Sequence, residues 1–323
     1  MKKIWPFFKK KITRKQFIKY SLLGLSGLLF SGIFLKASRA IEKNTFNGRK
    51  KRIVKTDHDL VLVEGEDPYK MAVEGVKAMG GMEKFVAKGS TVVVKPNIGW
   101  DRSPEYAANT NPFVVAALVE MCYLAGAKKV KVFDRTCNSE ARCYESSGIK
   151  KAAEEKGASV YFVDDWNYIN AKFDYKSSMQ DWPIFRDAIE CDTFINVPIL
   201  KHHGLANLTI SMKNLMGVCG GSRSIIHQDI GPKLVDITDF IKPDLTIIDA
   251  FRVLKDHGPR GGDLKDVVDM KKLIVSTDPT LSDVYAAFLM NKEPKTIPNI
   301  DEAIRRNFGK SDLNSAAILK LKA

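Results

Sequence analysis

The sequence predicts an α/β fold: a mainly parallel, doubly wound sheet with helices on both faces, preceded by an N-terminal signal or anchor segment. Two observations carry this. Short apolar runs of strand length alternate with longer stretches of helical spacing, the pattern of β-α units. Several runs, among them Val92 to Val94 and Thr246 to Asp249, are apolar almost without alternation, as strands covered on both faces require.

Taken in order, strands are expected at Leu60–Val63, Thr91–Lys95, Lys129–Phe133, Ser159–Val163, Thr193–Pro198, Leu245–Asp249 and Lys272–Ser276. Between them, helices are expected from Pro68 to Ala87 with a break at Gly80-Gly81, from Pro112 to Ala125 behind an Asn111 cap, and from Glu140 to Lys156 with a break near Gly148. Leu205 to Met216 shows apolar residues at helical spacing, with Leu208, Met212, Leu215 and Met216 as its core stripe. Further helices are read at Pro232–Ile241 and Pro279–Met290. Asp164 to Pro183 looks like a flap over the sheet, and Asn299 to Ala323 like one or two amphipathic helices at its edge.

The chain of 323 residues carries a formal charge of +13, unevenly placed. Of its 51 Lys/Arg and 38 Asp/Glu, residues 1–52 hold 15 and 1, leaving 36 and 37 for the remainder. The basic character therefore belongs to the leader, and a general nucleic-acid-binding surface loses its main support. Within that leader, basic Lys2 to Lys19 precedes the uncharged Tyr20 to Leu35, which falls short of the roughly 20 apolar residues that span a bilayer. Residues 1–40 are thus read as a signal peptide or membrane anchor, 41–56 as a linker, and 57–323 as a single α/β domain. Thr13-Arg14-Lys15-Gln16-Phe17-Ile18-Lys19 resembles a twin-arginine export motif with Lys15 in the second arginine position. A periplasmic or cell-surface location is expected.

The five cysteines make no C-x-x-C pair and no disulfide framework. Cys122 reads as core; Cys137, Cys143 and Cys219 fall in or beside loops, where a thiol ligand or redox role stays open.

In an open parallel sheet, ligands bind beyond the carboxyl ends of the strands. Those expected ends carry Lys95-Pro96-Asn97, Asp134-Arg135, Asn196 leading to Lys201-His202-His203, Asp249, and Ser276-Thr277-Asp278. Lys213-Asn214 interrupts an apolar stripe, and a lysine there suits a carboxylate or phosphate. Gly217, Gly220 and Gly221 with Arg223 make a loop able to wrap an anion. Candidate catalytic residues are His203, His227, Lys213 and Asp249, with either histidine as acid/base and Asp134 or Asp249 orienting an imidazole or ligating a metal. Candidate ligand-binding residues are Lys95, Asn97, Asp134, Lys201, His202, Asn214, Arg223 and His257; the Gly258–Gly262 turn is read either as bringing Arg260 to the same crevice or as a simple surface turn. A divalent metal is left open, though no tight histidine spacing is present. Neither a Walker A loop nor G-x-G-x-x-G occurs.

These pieces resemble the family called domain of unknown function 362. The resemblance rests on Lys95-Pro96-Asn97 with Thr110-Asn111-Pro112, Phe194 to Lys201 with His203-Gly204, Thr209 through Lys213-Asn214 to Gly217, His227, Pro243 to Asp249, Gly258-Pro259 with Gly261-Gly262, and Ser276 to Pro279. It implies exported members and, in some, a ferredoxin-like module for iron–sulfur clusters, whose cysteines this chain lacks. The expected function is an exported or membrane-tethered enzyme acting on a small anionic molecule; the alternative is a non-catalytic metal- or cofactor-binding accessory to a redox partner. The near-neutral body predicts that the chain freed of its leader binds duplex DNA weakly. A loss of about 10³-fold or more in affinity between about 50 and 200 mM salt, read by fluorescence anisotropy, would contradict that reading.

Overall fold

A strand that is apolar on both sides needs helices above and below it, and the sheet is built accordingly. The computed structural model describes residues 48–174 and 176–323; the leader reading of residues 1–40 and the first part of the linker lie outside the described residues. In chain order the strands are β1 (Leu60–Glu64), β2 (Thr91–Pro96), β3 (Lys129–Val132), β4 (Ser159–Val160), β5 (Tyr168–Lys172), β6 (Asp181–Phe185), β7 (Thr193–Val197), β8 (Ile199–His203), β9 (Asn207–Thr209), β10 (Leu245–Leu254), β11 (Val267–Ser276) and β12 (Ile318–Lys322). The main sheet runs β12-β1-β11-β10-β7-β2-β3-β4, with β8 paired to β10 and to β9. From β10 through β7, β2 and β3 to β4 all neighbours are parallel. The β5–β6 hairpin forms a separate two-stranded sheet where a flap was expected.

Side chains two apart in a strand share a face, and here they divide cleanly between two cores. Val61 and Val63 of β1, Val92 and Val94 of β2, and Val130 and Val132 of β3 join the helices Pro68–Ala78, Pro112–Leu124 and Ile149–Glu154 on one side. Leu60 and Leu62, Ile248 and Ala250, and Ile274 face the helices Pro279–Leu289 and Pro298–Arg305 on the other. Three of these helices begin alike: Asp67, Asn111 and Asp278 accept hydrogen bonds from first-turn N–H groups, and each is followed by a proline that has no N–H to satisfy.

The chain order places the switch point. From β2 the chain moves outward to β3 and β4, then returns across the β5–β6 hairpin to β7 on the other side of β2, and continues to β10. The carboxyl ends of β2 and β7, Lys95-Pro96-Asn97 and Asn196-Val197-Pro198, therefore open where two sets of loops diverge, which is where a crevice forms.

Three expectations need correction. Leu205 to Met216 is not one helix: β8 and β9 form a hairpin turned over residues 204–206, with Asn207 at φ +61° opening β9, followed by a short helix, Ser211–Asn214, and a 3₁₀ turn, Leu215–Val218. Leu208, Ile210 and Met212 are all buried, and a period of two fits them as well as a helical stripe does. The C-terminus is a helix, Pro298–Arg305, followed by β12 parallel to β1. Finally, β11 runs antiparallel to both neighbours, so Ser276 pairs with Leu60 and Thr246 near the amino ends of β1 and β10. Ser276-Thr277-Asp278 thus lies at the edge opposite the crevice, where Asp278 caps a helix.

Among the described residues no helix is long and apolar enough to cross a membrane. Within the stretch read as a linker, Arg49 is buried: its guanidinium meets Asp244 Oδ2 at 2.6 Å and donates to the carbonyls of Ile241 and Asp192. Asp244 in turn accepts the N–H groups of Phe194 and Arg52. Removing one partner strands a buried charge, so Asp244→Ala is expected to cost about 3–5 kcal/mol in urea unfolding. The double variant Arg49→Met/Asp244→Ala should recover part of that loss.

Candidate functional site

Lys95 is the penultimate residue of β2 and Asp134 follows β3; both side chains are buried, with Nζ and Oδ1 2.7 Å apart. The same ammonium donates to Pro96 O at 2.8 Å and to Asn214 Oδ1 at 3.2 Å, so its three donors are used. Asp134 Oδ2 accepts Ile98 N at 2.7 Å. Above the pair passes Gly217, where a Cβ would lie 1.8 Å from Asp134 Oδ1 and 2.6 Å from Lys95 Nζ. Only a residue without a side chain lets the backbone cross here.

Asn214 joins this base to the rest. Its amide donates to Asn196 Oδ1 and Lys95 O, while its oxygen also accepts from Asn97 Nδ2 at 3.2 Å. The short helix bearing Asn214 and Lys213 is held at its start by Asp283, whose carboxylate accepts the N–H groups of Ser211 and Met212. Burial pushes Asp283 up to about 7.

Over this base opens a cavity of about 520 Å³. Lys201, carried by β8, reaches it with Nζ bonded to Asn97 Oδ1 at 3.1 Å and to Ala108 O. Lys213 enters from the short helix, and its hydrogen-bond partner among the described residues is Met216 Sδ, at 3.6 Å. No carboxylate pairs with either lysine among the described residues. Burial pulls Lys201 down to about 7 and Lys213 down to about 8.

His203 stacks on His227 with ring centroids 5.9 Å apart. Its Nδ1 accepts Leu205 N at 3.1 Å and Ala206 N at 3.3 Å, which requires that nitrogen to be unprotonated. Burial, and next the Lys213 charge, push His203 down to about 3. With Nδ1 so occupied the ring is neutral and carries its proton on Nε2. Burial and Lys213 also lower His227. Among the described residues neither imidazole is oriented by a carboxylate: Asp134 serves Lys95, and Asp249 accepts the N–H groups of Asn111 and Phe251. Among the described residues no three His, Cys, Asp or Glu side chains gather as a metal site.

Of the residues singled out in the sequence, Asn97, Asp134, Lys201, His203, Lys213, Asn214, Arg223 and His227 line the cavity. Lys95 lies beneath it. Asp249 is interior to β10, which runs on to Leu254, and its burial raises it to about 6. His202 accepts Gly258 N at 3.1 Å and fastens that loop to the hairpin, while His257 is exposed against Asp266. Arg223 lines the wall but spends its fork on Arg135 O and Thr136 O, at 2.7 and 2.6 Å. Gly217 clears the ion pair, and Gly220 packs against Tyr168 and Pro183 of the β5–β6 hairpin. Sequence reasoning missed Trp100, Leu205, Met216 and Pro259 as lining residues; their available signal was their position just past Lys95-Pro96-Asn97, Lys201-His202-His203, Lys213-Asn214 and His257. Cys137 also lines the cavity and is exposed, unlike the buried Cys143 and Cys219.

The fold and site together define a doubly wound α/β protein with a cationic cavity at its switch point. The chain belongs to the family described as Domain of unknown function (DUF362), whose model matches residues 92–288. It is 27% identical over 233 residues, 70% of each chain, to the thylakoid-associated protein sll1697 of Synechocystis sp.. Among solved structures, the lactate racemase apoprotein from Thermoanaerobacterium thermosaccharolyticum is similar with a TM-score of 0.41 and 10% identity, over 71% of this chain and 56% of the racemase.

Gly217→Ala is expected to force apart Lys95 and Asp134 and to cost several kcal/mol, on the order of that for breaking a buried ion pair. A thermal melt indistinguishable from the parent's would show that the loop can yield.

Proposed function

We propose that the chain is an enzyme that binds a small anionic substrate over Lys201 and Lys213 at the carboxyl ends of the parallel strands. One observation carries the reading: two lysines lacking carboxylate partners among the described residues face one cavity, beside a neutral histidine that offers a proton donor. Leaving such charges unpaired costs stability, and an anion is the partner that recovers it. Within this site Lys201 and Lys213 hold the negative charge and His203 donates from Nε2. With a pKa of about 7, Lys201 is also poised to give up or take back a proton at neutral pH. The basic leader with its uncharged core supports placing this chemistry beyond the cytoplasmic membrane, free or tethered.

The ammonium forms bind the anion, so affinity is full below about pH 7 and falls as pH rises through about 7 and about 8. Sulfate, whose own charge is constant in this range, is the probe for calorimetric titration; a dissociation constant that does not change between about pH 6 and 9 sinks the proposal. Lys213→Met should lose sulfate binding at least tenfold while melting at the same temperature or higher, since it removes a poorly compensated charge. Unchanged binding in that variant would remove Lys213 from the site.

A further inference from the structure

Beside the main cavity lies a second, of about 290 Å³, lined by Asp101, Arg102, Asn138, Arg142 and Arg260. The two share three walls. Trp100, Cys137 and Pro259 line the first cavity, and their immediate successors Asp101, Asn138 and Arg260 line the second. Consecutive Cα atoms are about 3.8 Å apart, so at three separate loops a single residue step divides one space from the other.

The second space carries a positive excess of its own. Its one carboxylate, Asp101, is already engaged: Oδ1 accepts Ser146 Oγ at 2.5 Å, and Oδ2 meets Arg142 Nε at 3.2 Å. Arg102 donates Nε to Gly261 O at 3.2 Å and lies over the Tyr106 ring at 5.3 Å, which fixes the plane of its guanidinium. Its terminal nitrogens make no hydrogen bond among the described residues, nor do those of Arg142. Arg260 makes no side-chain hydrogen bond or ion pair among the described residues. Three guanidiniums thus stand against one spent carboxylate, with forks suited to a carboxylate or phosphate. Their loops are braced: Asn109 Oδ1 accepts the N–H groups of Gly99 and Trp100, and its amide donates to Trp100 O and Arg102 O.

We infer that the natural ligand is a two-headed anion, one acidic group held over Lys201 and Lys213 and a second held by Arg102, Arg142 and Arg260, joined by a spacer that passes Trp100, Cys137 and Pro259. This rests on the proposed anion-binding reading and adds the ligand's class. It also gives the arginines outside the main cavity a selective task, since a one-headed anion leaves them unused.

The test is calorimetric titration of the full chain with α,ω-dicarboxylates and α,ω-bisphosphonates of increasing length, each compared with the one-headed acid of equal carbon number. At a matching length the two-headed probe should bind at least tenfold tighter. Arg260→Glu, an exposed substitution, should erase that advantage while leaving one-headed affinity within about twofold. If no length in either series outperforms its one-headed counterpart, or if Arg260→Glu weakens both kinds equally, the inference is overturned. The underlying reading is judged separately, by whether one-headed anions bind and lose affinity in Lys213→Met. If no anion binds at all, both fall together.

Discussion

The buried pair Lys95–Asp134 is the contact on which the rest of the site depends. Taking two opposite charges out of water costs more than their attraction returns unless further hydrogen bonds complete each group. Here they do: the ammonium has three acceptors, and the carboxylate has Ile98 N besides the lysine. The pair ties the ends of β2 and β3 together on one side of the switch point. Through Asn214 it also ties them to the segment that brings in Lys213, and through Gly217 to the loop that crosses above. A site built on such a base holds its geometry before any ligand arrives, which spares the ordering cost on binding.

Against this saturated base, the cavity above it is left electrostatically incomplete. Among the described residues Lys201 has an amide oxygen and a carbonyl as partners, and Lys213 a sulfur. The three lysines differ in their partners: the structure pays for the charge of Lys95 with a carboxylate and gives the other two none among the described residues. Unpaired buried charge of this kind is characteristic of sites where stability yields to function. Burial lowers all three lysines, Lys95 included, and an anion placed beside Lys201 and Lys213 would raise both.

Much of this was readable in advance. Seven strands (β1, β2, β3, β4, β7, β10 and β11), the Asn111-Pro112 helix start, the helix from Pro279, and the breaks at Gly80-Gly81 and Gly148 follow from local chemistry and appear at the expected places, whereas β5, β6, β8, β9 and β12 were not expected. The gathering of Asn97, Asp134, Lys201, His203, Lys213 and His227 was also foreseen, because residues just past parallel strands share one edge. The errors came where a local pattern admits two answers. Leu208, Ile210 and Met212 fit either period, and pairing of β8 with β10 decided for a hairpin. Ser276-Thr277-Asp278 follows a genuine strand, but strand direction is set by neighbours far away in sequence.

What the sequence by itself determined was the α/β class, the near-neutral body behind a basic N-terminal segment, and the set of polar residues available at the crevice. Backbone propensity, apolar periodicity and charge counting act over a few residues, so they are written in the order of the chain. Only the tertiary structure decided each residue's task. Lys95 became a structural ion and Lys213 an open one, His203 became a donor because two backbone N–H groups occupy its Nδ1, and Asp249 and His257 were drawn away from the cavity. Those outcomes depend on which partner reaches a group first across more than a hundred residues, as Asn214 reaches Lys95, and no local pattern records such distances.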